Sequence, residues 1–159
     1  MSQLLRTETV TVSIDYSQFY ICDSGFQLGE EVPAPPTFHD SLGVGNGALS
    51  VPSTIQSHQA VVHVELWSSA PLVTEGGEFT VGEADLECRG SVGDYPQGAV
   101  VVFSLMGSEH APMPLDEPGV HRVRVQRNPE NARPDWERNW ERRRDGYEVY
   151  RVQLWRPSQ

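Results

Sequence analysis

The chain has 159 residues, with 22 acidic side chains against 12 basic ones, all arginine, and a formal net charge of −10. A body of that sign repels phosphate over most of its surface, which argues against direct nucleic-acid binding and against an anionic membrane surface and leaves a basic protein as the suitable partner. The length suits one domain, 1–159, large enough to bury a sizeable core, and 14 glycines with 12 prolines suit many short strands rather than long helices.

In chain order, residues 1–10 (MSQLLRTETV) lack the apolar run of a signal peptide. Residues 9–16 (TVTVSIDY) alternate, putting Val10, Val12, Ile14 and Tyr16 on one face of a half-buried antiparallel strand, which Gln18 to Ile21 extend past a bend. Residues 30–36 (EEVPAPP) form an exposed loop, because successive prolines donate nothing to a ladder. GVGNG at 43–47 is a glycine turn rather than a phosphate cradle, since a short strand (47–51) and not a helix follows it. Residues 60–67 (AVVHVELW) make a longer strand, with His63 facing outward between buried valines.

After the turn Glu75-Gly76-Gly77-Glu78 comes EFTVGEADLEC. Phe79 and Val81 share one parity, whereas Ala84, Leu86 and Cys88 share the other, so a β-bulge at Gly82 swaps the faces. Residues 99–105 (AVVVFSL) are apolar on both parities and predict a central strand, with Val101 and Phe103 among the least exposed residues. This stretch also holds the longest uninterrupted apolar run, far short of a membrane span, so the expected location is the cytoplasm. HAPMPLDEPG reads as a second Pro-rich loop, VHRVRVQ as a strand with Val123 and Val125 inward and Arg122 and Arg124 outward, and GYEVYRVQLW as the last strand. The sum is an all-β fold, a single antiparallel β-sandwich or open barrel with one short helix before the last strand.

The helix candidate is DWERNWERRRDG, residues 135–146. Pro134 and Asp135 suit a helix start, Arg142, Arg143 and Arg144 suit its negative end, and Gly146 stops it. Trp136 and Trp140 then share a face and cover the end of the sandwich, or else stack bases with the arginines on phosphates. The charge is uneven: residues 1–121 hold 16 acids and two arginines, residues 122–159 six acids and ten arginines. The acidic body favours the structural role for the tryptophans.

Catalytic chemistry is poorly signalled. The five histidines show no metal-ligand spacing, no G-x-S-x-G elbow is present, and no catalytic residue, cofactor or metal site is read from the sequence. Cys22 and Cys88, far apart and outside any C-x-x-C, are expected as two buried thiols. The candidate partner-binding residues are Glu83, Asp85 and Glu87, on the outward parity of one strand, where carboxylates recur about every 6.8 Å like a phosphate backbone. Cross-strand pairing with Arg122 and Arg124 is the other use for them.

Four pieces together resemble the competence protein J family of small bacterial β-rich proteins. Ile14-Asp15-Tyr16-Ser17-Gln18-Phe19 is similar to its N-terminal strand, Gly47-Ala48-Leu49-Ser50 to its G-A-[IL]-S segment, Pro118-Gly119 to its turn before a strand, and residues 147–155 to its C-terminal strand. The resemblance implies a non-catalytic role, since the family's namesake is associated with inhibition of a DNA-entry nuclease; its motif residues look structural and carry no inhibitory position across. The expected function is a protein-binding module, an acidic inhibitor or immunity-type partner of a nuclease. The alternative is a small-molecule or carbohydrate-binding sandwich. A pocket of convergent polar groups would favour the latter and a flat acidic face the former.

Overall fold

The computed structural model describes residues 1–14, 16–25, 41–54, 58–73, 79–90, 94–104, 111–128 and 148–158. Among these residues there are ten strands: β1 (Leu4–Ile14), β2 (Gln18–Asp23), β3 (Gly43–Gly45), β4 (Ala48–Pro52), β5 (His58–Trp67), β6 (Phe79–Cys88), β7 (Ala99–Phe103), β8 (Met113–Pro114), β9 (Gly119–Arg127) and β10 (Val149–Trp155). Two five-stranded sheets result, β1-β5-β10-β9-β6 and β3-β4-β2-β7-β8, open at their edges rather than closed into a barrel. Every pair is antiparallel except β5 with β10, which run parallel from Val149↔Val61 to Trp155↔Trp67. The described residues contain no helix, and none long and apolar enough to cross a membrane. The helix expected at 134–146, with Trp136, Trp140, Arg142, Arg143 and Arg144, lies outside the described residues.

One apolar cluster joins the facing sides of the two sheets. Val12, Val62, Val64, Val123, Val125, Val152 and Leu154 enter it from the first sheet, and Phe19, Ile21, Leu49, Val51, Val100 and Val102 from the second. Tyr150 bridges them: its ring meets Phe19 edge-on at 4.9 Å, and its hydroxyl donates to the Pro52 carbonyl at 2.9 Å. The period-2 pattern thus does what it dictates, because each inward side chain removes apolar surface from water on one side only.

Several local details follow from backbone chemistry. Val81 is the extra residue in the β6 ladder, between the pairs Thr80↔Gln126 and Gly82↔Val125, so Val81 and Ala84 both point inward across the expected bulge. A Cβ at Gly82 would stand 3.0 Å from Leu42 Cγ, so a larger residue at the bulge requires Leu42 to give way. Asn46-Gly47 makes a two-residue hairpin turn between β3 and β4, with Gly47 at φ 74°.

Two expectations need correction. Tyr16 is not an inward strand residue but 68% exposed. Tyr16 and Ser17 take φ of 56° and 60°, a left-handed corner that carries the chain from one sheet to the other. Phe103 is only partly buried, stacked on Tyr20 at 5.2 Å on the outer side of its sheet, whereas Val101 is buried. The second Pro-rich stretch also contributes more than a loop. Met113 and Leu115 enter the core, and β8 forms the edge beside β7.

Candidate functional site

Glu83, Asp85 and Glu87 fall where their parity puts them, outward on β6, an edge strand that pairs only with β9 among the described residues. The structure brings the row together with both arginines. Glu83 Oε1 accepts from Arg124 Nε at 2.7 Å, Glu83 Oε2 lies 3.5 Å from Arg122 Nε, and Asp85 Oδ1 accepts from Arg122 Nη1 at 3.1 Å. Glu87 stands opposite Val120 and makes no ion pair among the described residues.

The two arginines differ in kind. The Arg122 side chain is 36% exposed, whereas that of Arg124 is 8% exposed. Besides Glu83, Arg124 Nη1 donates to the Pro71 carbonyl at 3.0 Å and to Gln153 Oε1 at 3.3 Å, and the guanidinium lies 5.0 Å over the Trp155 ring. Gln153 Nε2 in turn donates to Glu65 Oε2 at 3.1 Å, which also accepts from Trp67 Nε1 at 2.8 Å. The cross-strand row Thr7, Glu65, Gln153, Arg124, Glu83 therefore traverses all five strands of the first sheet, and its side-chain hydrogen bonds run unbroken from Glu65 to Glu83. Such a row ties the strands of this sheet together on its outer face through charged and polar side chains.

A second polar group, not singled out from the sequence, is sealed in the interior. Glu148, just before β10, accepts from Ser53 Oγ and, at 2.9 Å, from His58 Nε2 on one carboxylate oxygen. Its other oxygen accepts from Thr54 N at 3.2 Å and Thr54 Oγ1 at 3.0 Å and lies 3.9 Å from Arg127 Nε. Burial alone would push this carboxyl up; the hydrogen bonds from His58, Ser53 and Thr54 outweigh it and hold the group at about 2. A signal was present, since Glu148, His58 and Arg127 each share parity with the inward residues of their strands. Serine, histidine and glutamate meet here, but not as a nucleophilic triad. Both Ser53 and Glu148 address Nε2, Nδ1 is buried without a partner, and the His58 and Glu148 side chains are 0% exposed. The group clamps the β4–β5 connection to the start of β10.

A small cleft of about 110 Å³ opens where Leu5, Trp67, Glu117, His121 and Arg156 meet. Its charged rim is neutralised within the chain: Arg156 Nη1 lies 2.6 Å from Glu117 and Arg6 Nη2 3.7 Å from Asp116. Burial pushes the His121 imidazole down, and its Nδ1 donates to the Gly119 carbonyl at 3.0 Å. Both cysteines are buried thiols outside any disulfide, as expected.

Comparison of the sequence with family models and with curated proteins gives no match. Among solved structures, the chain is similar to ComJ of Bacillus subtilis, an inhibitor of the DNA-degrading activity of NucA, at a TM-score of 0.57 and 13% identity over 98% of each chain. It is also similar to the product of crocagin biosynthetic gene J, at a TM-score of 0.48 and 15% identity over 98% of this chain and 100% of that one. The two sheets described above thus constitute a ComJ-like fold.

Proposed function

We propose that this chain is a non-catalytic protein-binding module that inhibits a basic nuclease. The observation that carries the reading is the likeness to ComJ over 98% of both chains. The net charge of −10 supports it, because an acidic surface attracts a protein built to hold a polyanion. The interface in this reading is the outer face of the first sheet, with Glu83, Asp85 and Glu87 steering the encounter. Glu87 and the solvent-facing side of Asp85 act through long-range attraction, and Glu83 fixes Arg124 beneath them.

The test uses purified NucA of Bacillus subtilis as probe. Its DNA-degrading activity should fall as the chain is added. Association should slow as salt screens the charges over a Debye length of about 8 Å. Glu83, Asp85 and Glu87 changed together to glutamine should slow association several-fold. Asp85 and Glu87 changed alone should move the melting temperature little, since exposed carboxylates contribute little to stability, whereas adding Glu83→Gln should lower it by leaving the nearly buried Arg124 without its charged partner. Full nuclease activity under a large excess of the chain would overturn the reading. An association rate unchanged in the triple variant would remove the row from the interface.

A further inference from the structure

Residues 68–73 leave β5 as a strap on the outer face of the first sheet. Its start is tied by Ser68 N donating to the Gln3 carbonyl and Gln3 N to Ser68 Oγ, each at 2.9 Å. Pro71 is buried and its carbonyl accepts from Arg124. The next two residues then face water: Leu72 is 90% exposed and Val73 53%. A single apolar side chain at the surface is ordinary. Here two stand together, next to a residue whose carbonyl is tied to a nearly buried guanidinium.

The same guanidinium fixes what lies beside the strap. Arg124 donates through Nη1 to Pro71 and through Nε to Glu83, so the residue before Leu72 and the first carboxylate of the acidic row are two hydrogen bonds apart on one rigid group. An apolar protrusion and a row of carboxylates are thereby presented as one surface of fixed geometry.

We propose that Leu72, with Val73 beside it, is the apolar anchor by which this face retains its partner, a basic protein that offers an apolar pocket rimmed by lysine or arginine side chains. The inference rests on the protein-partner reading above and adds a division of labour: the carboxylates set how fast the complex forms, and Leu72 sets how long it lasts. Because the strap is pinned before the partner arrives, little ordering entropy is lost on binding. A second copy of this chain is a poor occupant, since it brings the same carboxylates to the contact.

Binding kinetics on immobilised NucA of Bacillus subtilis test the proposal. Leu72→Ala should melt as the wild type does and associate within about twofold of its rate. It should dissociate roughly 10- to 100-fold faster, as loss of a buried leucine requires. The Asp85→Gln, Glu87→Gln double variant, which leaves Glu83 and Arg124 in place, should show the converse, slower association with dissociation nearly unchanged. Wild-type binding with an unaltered dissociation rate for Leu72→Ala would overturn the anchor and leave the protein-partner reading standing. Absence of wild-type binding would overturn both. Self-association abolished by Leu72→Asp, with nuclease binding intact, would assign the protrusion to a second copy and overturn the proposal.

Discussion

Replacing Glu148 by glutamine removes one buried charge and turns one of two accepting oxygens into a donor. The carboxylate accepts from Ser53, His58, Thr54 N and Thr54 Oγ1 and has Arg127 at 3.9 Å. A glutamine can keep one side of this clamp; on the other its amide faces hydrogen-bond donors. Hydrogen bonds to a charged group contribute about 1.5–3 kcal/mol each, and breaking one partner out of a buried pair costs about 3–5 kcal/mol. The expected loss for Glu148→Gln is therefore about 3–5 kcal/mol. In a chain of 159 residues each kcal/mol lowers the melting temperature by about 2–4 °C, so the fall should be roughly 6–20 °C. The carboxyl, held at about 2 against an ordinary 4.5, has a folded-state pKa below its unfolded one. Its contribution is fully present above about pH 5 and is lost as the pH falls toward about 2. Denaturant titrations of both proteins across that range should show a gap that is widest near neutrality and closes in acid. A variant within about 1 kcal/mol of wild type at neutral pH, or a gap independent of pH, would refute the clamp.

The two outward arginines of β9 should behave unequally: Arg124→Ala loses contacts to Glu83, Pro71, Gln153 and Trp155 and should cost about 2–4 kcal/mol, whereas the more exposed Arg122→Ala should cost about 0.5 kcal/mol. Equal shifts in denaturation midpoint would contradict this. Cys88 should resist thiol reagents in the native protein, because burial, with Asp23 and Glu87 nearby, pushes its thiol up to about 12. Its labelling should proceed at the rate of unfolding, and rapid stoichiometric reaction near neutral pH would be the contrary result.

Much of this fold was legible because side-chain alternation reports directly on which face a residue occupies. The change of parity between Val81 and Ala84 around Gly82 located the bulge, and the alternation of VHRVRVQ separated its valines from its arginines. Alternation does not report which strand lies beside which. The parallel pairing of β5 with β10 therefore left no mark in either segment. Tyr16 was misjudged because its parity fits a continuing strand, whereas its positive φ depends on the corner between sheets. The acidic row was legible one strand at a time, but its ties through Arg124 to Pro71 depend on a segment 53 residues away. The interior clamp was visible only as charged residues on inward parity, and Ser53 and Glu148 are separated by 95 residues.

The parallel pair also bears on the order in which the chain can acquire its structure. β10 inserts between β5 and β9, so before residues 149–155 exist as a strand the first sheet consists of two separate ribbons, β1-β5 and β9-β6. Each ribbon then exposes an apolar face and an unsatisfied backbone edge along β5 or β9. During synthesis those edges are open to any extended segment that comes near, which is the condition under which chains aggregate or engage chaperones. The ladder that joins them pairs residues nearly ninety apart in sequence, from Val61 with Val149 onward, and closes at the cost of loop entropy, so assembly of this sheet is slow relative to a hairpin meander of equal size.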